Sequence, residues 1–442
     1  MTTVLSVAED RMTRAEVLAV TICIFINMLD GFDVLVISFA GPAIAKAWNL
    51  APGELGLLFS SGLAGMMLGS LFLAPLADRV GRRPVVLVSL TLVSAGMLAS
   101  SVSNGLYVLA ATRVISGLGI GAMLAGLTAT VAEYTPERRR ALGVSLLQTA
   151  YPVGAIAGGM VSAVLIADFG WRSVFVLGGA LPALLIPVVL FALPESLAFL
   201  STRQTPDSLA RINAARRKLG RAQLAQMPPP PTSKGKRAGS VIALLTPEYR
   251  HRTLLITFTY VMVMMTLYFV LNWTPKVVVD AGLTQAEGIS TSVIVNIGGV
   301  IGASIFGILA IRFREVRTLR AYMLLCIAGL VLFGLVNMQS AMLWIAAFIM
   351  GYFLHGITIG LYTLLPRLYP AEVRSTGAGW AIGVGRLGAI FGPAIAGWLF
   401  NAGFGAGIVY ALFALPVVLA FIAVSRIDDR PTVTGAAGQS AQ

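Results

Sequence analysis

Four charged side chains stand deep inside stretches of chain that are otherwise apolar: Asp30, Asp33, Arg113 and Arg386. The two acids come as Asp30-Gly31-Phe32-Asp33, within an apolar run from Val17 to Ala45. As a helix that run is about 43 Å long, more than enough to cross a hydrocarbon core of about 30 Å. The i, i+3 spacing sets both carboxyl groups on one face, about 60° apart around the helix and about 4.5 Å apart along it. Asp30 falls near the middle of the run, so both acids lie close to the membrane midplane. An Asp at that depth costs about 2.5–3.5 kcal/mol on insertion, and two cost more unless something pairs with them. Such groups face a cavity, pair with a cation or carry a proton; the bland alternative is an ion pair that locks two helices. A functional role is favoured, because one buried cation neutralises only one of two acids.

The two arginines suggest partners. Arg113 lies near the outer end of its apolar stretch, at a depth compatible with Asp33, so the two are expected to meet. Arg386 sits in Trp380-Ala381-Ile382-Gly383-Val384-Gly385-Arg386, about 14 Å from the inner end of its helix by rise per residue. A guanidinium there can hold a substrate anion through two parallel hydrogen bonds, or it can serve a backbone carbonyl. Phe32, Tyr260, Tyr268 and Phe269 offer ring-stacking surface, whereas Trp273 and Lys276 are expected in the outer interface belt. His355 has no acid near it in sequence and reads as a hydrogen-bonded core residue. No Walker-type phosphate loop stands in the sequence, which argues against ATP-driven transport. No nucleophile–base pair or metal cluster stands at membrane depth either, which argues against an enzyme.

Composition dictates what must position these groups. The chain is 57% hydrophobic and 12% charged, with a mean hydropathy of +0.85, so it is an integral membrane protein. Its apolar runs have helix length rather than the ten-residue alternation of a membrane barrel. The expected fold is all-α, with twelve spans near 17–45, 55–77, 85–103, 106–133, 141–166, 172–193, 253–279, 287–311, 319–337, 341–368, 377–401 and 405–425. They form two six-helix bundles, 1–193 and 253–425, joined by a linker loop at 194–252 and followed by a tail at 426–442. Cys23 and Cys326 lie in separate spans and imply no disulfide. The first span is too long for a signal-peptide core, so no cleavage is expected.

The net charge of +13 would suggest nucleic acid in a soluble protein, but its distribution argues otherwise. With the N-terminus inside, 27 of the 32 Lys and Arg fall in cytoplasmic segments and only Lys46, Arg172 and Lys276 outside. That is a positive-inside pattern, with both termini expected in the cytoplasm. In the linker, Pro228 to Pro231 reads as a short polyproline piece before Lys234, Lys236 and Arg237. Ahead of it, Pro206 to Leu224 reads as a basic helix lying on the anionic inner leaflet, with Leu209, Ile212 and Leu219 on one side.

The halves repeat. A shift of 234 positions matches Gly117 with Gly351, Gly126 with Gly360, Pro136 with Pro370 and Arg140 with Arg374. It also matches Gly154-Ala155-Ile156 with Gly388-Ala389-Ile390, and Gly158 with Gly392. A parallel six-plus-six repeat with a cleft between the halves is a transporter architecture.

The loop after the second span reads Ala74-Pro75-Leu76-Ala77-Asp78-Arg79-Val80-Gly81-Arg82-Arg83. It resembles the signature loop of the major facilitator superfamily, with Ala74 in place of the first glycine. Gly81 permits a tight turn, Asp78 can meet a helix N-terminus or an Arg, and Arg79 and Arg82 can pair with acids. Glu133 is expected beside this loop, in the inner gate. The matching loop of the second half, Gly307 to Arg312, lacks the acid, so the latch is expected to be asymmetric and to depend on Asp78. Arg113-Val114-Ile115-Ser116-Gly117-Leu118-Gly119-Ile120-Gly121 resembles a second superfamily motif. Together with Asp-Gly-Phe-Asp and the run Tyr369-Pro370-Ala371-Glu372-Val373-Arg374 leading to Arg386, these features resemble the aromatic acid:proton symporter family over nearly the whole chain. The resemblance implies proton-coupled import of a benzoate- or hydroxybenzoate-type acid across the cell inner membrane by alternating access. It implies proton coupling at Asp30 and Asp33, gating at Asp78, and substrate binding at Arg113 and Arg386. A monomer is expected, with protons as the coupling ion, no cofactor and no nucleic-acid partner. A proton-coupled drug antiporter, a symporter of a non-aromatic carboxylate and a binding-only sensor remain open alternatives at this point.

Overall fold

Hydrocarbon supplies no hydrogen bonds, so a chain this apolar satisfies its backbone inside helices. The computed structural model describes residues 12–202, 207–228, 241–336, 341–370 and 373–427, and it contains twelve helices long and apolar enough to cross a membrane. We number these spans α1 (Arg14–Trp48), α2 (Pro52–Leu68), α3 (Arg82–Ser101), α4 (Leu106–Tyr134), α5 (Arg140–Phe169) and α6 (Arg172–Ala192). The second set is α7 (Arg250–Asp280), α8 (Gln285–Phe313), α9 (Glu315–Leu335), α10 (Met342–Leu368), α11 (Arg374–Asn401) and α12 (Ala406–Ser425, broken at Phe413). Helix α2 continues through a π turn at Gly69–Leu73 and a 3-10 turn at Ala74–Leu76 into the one-turn helix Ala77–Val80. Gly81 then reverses the chain with φ +108° and opens α3.

By contact the chain forms two compact units, Met1–Ser233 with Leu271–Val293, and Lys234–Val270 with Ile294–Gln442. The division therefore falls inside α7 and α8 rather than at the ends of the linker. Specific bonds tie the outer part of α7 into the first unit. The Ser38 hydroxyl donates to the carbonyls of Leu271 and Asn272 at 2.8 and 3.0 Å, and the Gln285 amide donates to the Phe39 carbonyl at 2.8 Å. Trp273, expected in the interface belt, is instead buried edge-on against Phe59, ring centroids 5.4 Å apart.

Within each unit the repeat is realised as the same close contact. Gly154 of α5 lies on the α1 backbone, where a Cβ would stand 2.9 Å from Met28 Cα. Its repeat mate Gly388 of α11 lies on α7, where a Cβ would stand 2.8 Å from the Val261 carbonyl carbon. Small residues at such crossings let backbones approach and gain dispersion contacts where no hydrophobic drive is available. One departure explains His355. It occupies the repeat position of Gly121, its ring lies over Gly299, and its Nδ1 faces the Gly351 carbonyl at 3.2 Å.

The linker is partly ordered onto the first unit. Helices Leu197–Thr202 and Ser208–Lys218 follow α6. Ile212 and Leu219 are buried in protein, so the apolar side of the basic helix does not face lipid as expected. Thr13 caps α1 and donates to the Leu219 carbonyl at 2.6 Å, and Arg221 grips the buried Glu16 carboxylate through Nε and Nη2, both at 2.8 Å. Removing one partner of a buried pair like this costs about 3–5 kcal/mol. Of the polyproline and basic stretch, Pro229 to Arg237 lies outside the described residues.

Gly154→Val and Gly388→Val are each expected to destabilise by about 1–3 kcal/mol through overpacking. Thermal unfolding of detergent-purified protein should show both losses and none for Gly126→Ala, whose Cβ meets nothing within 4 Å.

Candidate functional site

In the first unit α1 buries both of its acids, and Asp33 faces α6. Asp30 and Asp33 are 3% and 1% exposed. Both Asp33 carboxylate oxygens are buried with no hydrogen-bond partner among the described residues. Space for that carboxylate exists because α6 carries Gly178 there; a Cβ at that position would stand 3.0 Å from Asp33 Oδ1. Phe32, expected as stacking surface, is packed over Gly158 of α5, where a Cβ would clash with the ring, and is 4% exposed. It is a packing residue of this unit.

Arg113 does meet Asp33, though not by an ordinary salt bridge. Its Nη2 donates to the Asp33 backbone carbonyl at 2.7 Å and its Nη1 to Met97 Sδ at 2.8 Å, while Nε has no partner among the described residues. The guanidinium also lies 6.0 Å from the Phe175 ring centroid. It borders a small cavity whose wall includes Val34, Ile37, Phe59, Gly62 and Leu63. A buried cation is thereby held beside the acid with the carboxylate itself uncommitted. Such an arrangement can balance the charge of Asp33 without consuming its oxygens.

In the second unit Arg386 has no hydrogen bond or ion pair among the described residues, and Tyr362 lies within electrostatic reach of it. Tyr260 packs on Gly385, where a Cβ would stand 3.0 Å from Tyr260 Cβ. Tyr362 of α10 lies edge-on to Tyr260, centroids 6.0 Å apart, and within electrostatic reach of both Arg386 and Tyr268. All three of Tyr260, Tyr362 and Arg386 lie in the parts of α7, α10 and α11 nearer the Arg-rich loops. The Tyr260 side chain is buried and its hydroxyl has no partner among the described residues. Leaving a buried hydroxyl unbonded costs about 1–3 kcal/mol. Phe269 does not join this group; it stacks on Phe413, centroids 3.9 Å apart, in the packing of α7 against α12. Tyr362 escaped the sequence reading because nothing charged stands near it in the chain.

At the Arg-rich end, Asp78 is exposed on its one-turn helix and makes no hydrogen bond or ion pair among the described residues. The acid that meets a helix N-terminus is Glu195, which sequence reading left in the linker. Its Oε1 accepts from the backbone N–H groups of Arg82, Ser196 and Arg83 at 2.9, 3.0 and 3.3 Å, neutralising the start of α3. Glu133 joins the loop as expected: Arg82 Nη1 and the Ser196 hydroxyl reach its Oε2 at 2.8 and 2.6 Å, and the Ala198 N–H reaches Oε1 at 2.9 Å. Arg79 is exposed beside them. The second unit carries a counterpart of reversed polarity. Glu315 opens α9, is 4% exposed, and pairs at 3.0 Å with Arg367, which occupies the repeat position of Glu133. The position of Asp78 is Arg312 in the repeat, yet an acid persists three residues on and holds the same pair of helix ends.

Glu195→Gln should weaken the cap on α3 by about 1 kcal/mol, typical of a lost capping carboxylate. A lowered melting temperature is expected, and Asp78→Asn, which loses no contact, should melt like the parent protein.

The fold and these clusters fit the comparisons with known proteins. The profile of the Major Facilitator Superfamily matches residues 23–362 and 294–441. The chain is 34% identical to the gallate transporter of Pseudomonas putida, covering 94% of each chain. It is 33% identical to the 4-hydroxybenzoate transporter PcaK of Pseudomonas aeruginosa, covering 92% of this chain and 91% of that one. Among solved structures, the xylose transporter XylE from E. coli, in a partially occluded inward-open conformation, superposes with a TM-score of 0.68 at 18% identity. That match covers 93% of this chain and 97% of XylE. Two six-helix repeats, the Asp78 loop and the Arg113 motif thus have the relatives that they imply, and the chain belongs to the Major Facilitator Superfamily, alongside its aromatic acid transporters.

Proposed function

We propose that this protein imports a small aromatic carboxylate together with protons, as a monomer of the cell inner membrane with both termini in the cytoplasm. The observation that carries the reading is Arg386, a guanidinium within a spanning helix that the described residues leave without an ion pair, with Tyr362 in electrostatic reach and Tyr260 packed on the adjoining Gly385. A planar fork of donors beside aromatic surface suits a planar aryl carboxylate, and Lys would not reproduce its two-bond geometry. The names of the relatives, transporters of gallate and of 4-hydroxybenzoate, support the same substrate class.

Coupling follows from charge. An anion entering against an inside-negative potential meets about 2.3 kcal/mol per 100 mV. One accompanying proton cancels the charge and a second makes uptake favourable. Asp33 suits the carrier role, with both carboxylate oxygens uncommitted and Arg113 held alongside by the backbone carbonyl. Asp30, one helical turn away, is the other candidate. Asp78, exposed and without a bond among the described residues, suits a bias on the exchange between inward- and outward-open states, engaging a partner in only one of them.

In proteoliposomes, an acid-outside gradient should drive accumulation of 4-hydroxybenzoate or benzoate. Arg386→Lys should raise the apparent KM about tenfold, the equivalent of about 1.4 kcal/mol. Asp33→Asn should abolish accumulation against a gradient while leaving exchange of labelled for unlabelled acid. Asp78→Asn should lower the transport rate at unchanged protein level. A protein that ignored every aromatic acid in the panel and expelled hydrophobic cations would be a drug antiporter instead.

A further inference from the structure

Burying a tyrosine hydroxyl without a partner is unfavourable, and folded chains do so rarely. Tyr260 is such a case, 1% exposed and with its Oη unbonded among the described residues. It does not stand alone. The adjoining ring of Tyr362 is 41% exposed although it belongs to a membrane span, and Arg386 follows directly on the Gly385 that Tyr260 packs against. One element thus offers a buried hydroxyl without a partner among the described residues, a second a partly exposed tyrosine, and a third a cation without an ion pair among them.

Resting on the proposed import of an aryl carboxylate, we infer that Tyr260 is the residue that selects for a hydroxyl group on the substrate ring. The carboxylate is held by Arg386, and the ring lies along the open face of Tyr362. A ring hydroxyl then exchanges a hydrogen bond with Tyr260 Oη, either group acting as donor. A site built around a hydroxyl discriminates strongly against an analogue that lacks it, because the protein's own polar group is then left unpaired in a dry setting. A hydrophobic wall at the same place would discriminate weakly. Tyr362 acts through its ring and Tyr260 through its hydroxyl, so removing each hydroxyl has different consequences.

The test is a cycle on the full-length protein in proteoliposomes, reading the apparent affinities of benzoate, 4-fluorobenzoate, 3-hydroxybenzoate and 4-hydroxybenzoate by competition against a transported acid. Wild-type protein should prefer at least one hydroxybenzoate to benzoate by tenfold or more, with 4-fluorobenzoate grouping with benzoate. Tyr260→Phe should cut that preference at least tenfold, whereas Tyr362→Phe should keep it. Equal wild-type affinity for hydroxylated and plain acids overturns the assignment without reference to any variant. So does a monodisperse Tyr260→Phe protein that retains the wild-type ratio. If none of the four acids competes or is transported, the aryl carboxylate reading fails as well. If all four compete but without ranking by hydroxyl, only the role of Tyr260 fails.

Discussion

A bilayer core offers no hydrogen bonds to the protein that crosses it, and this constraint governs the rest of the structure. Backbone polarity is consumed inside twelve helices. With lipid tails as apolar as leucine, association between helices depends on close approach, and glycines supply it at α1–α5 and again at α7–α11. The repeat seen in the sequence is therefore a repeat of contacts. Where it is broken, as at His355, a glycine on the facing helix absorbs the larger side chain.

The same constraint makes every polar group in a span conspicuous. In the first unit Arg113 is satisfied mainly by a backbone carbonyl and a thioether, which leaves the Asp33 carboxylate uncommitted. In the second unit the Tyr260 hydroxyl has no partner among the described residues, and Arg386 stands in electrostatic reach of Tyr362. Each unit thus keeps reactive polarity of its own kind, acids in one and a cation with a phenol in the other.

At the Arg-rich end the logic is conservative. Helix ends there carry dipoles and crowded arginines, and acids from other elements answer them. Glu195 closes over the start of α3, Glu133 over Arg82 and the start of the linker helix, and Glu315 takes Arg367 in reversed polarity. Exchanging acid for base leaves the attraction between paired helix ends intact, so the repeat survives at the level of the bond although the residues differ. Asp78 lies outside this web, exposed on its one-turn helix and without a hydrogen bond or ion pair among the described residues.

The amino-acid sequence by itself determined the membrane class, the twelve spans, the two-fold repeat, the family signature and the placing of Asp30, Asp33, Arg113 and Arg386 within spanning helices. All of these depend on local composition and spacing, since helix length and charge placement are read along one dimension. Tertiary structure alone decided which neighbours those groups find. It turned Phe32, Phe269 and Trp273 from candidate surface into packing, because the facing residues that cover them lie on other helices. It brought Tyr362 to Tyr260, about a hundred residues away in the chain, and within reach of Arg386 on the next helix. It also drew Glu195 and Arg221 out of an apparently passive linker onto α3 and α1. Burial and partnership are pairwise properties of the folded chain, and a carboxylate's role in a membrane is set by what shares its few ångströms of dry space.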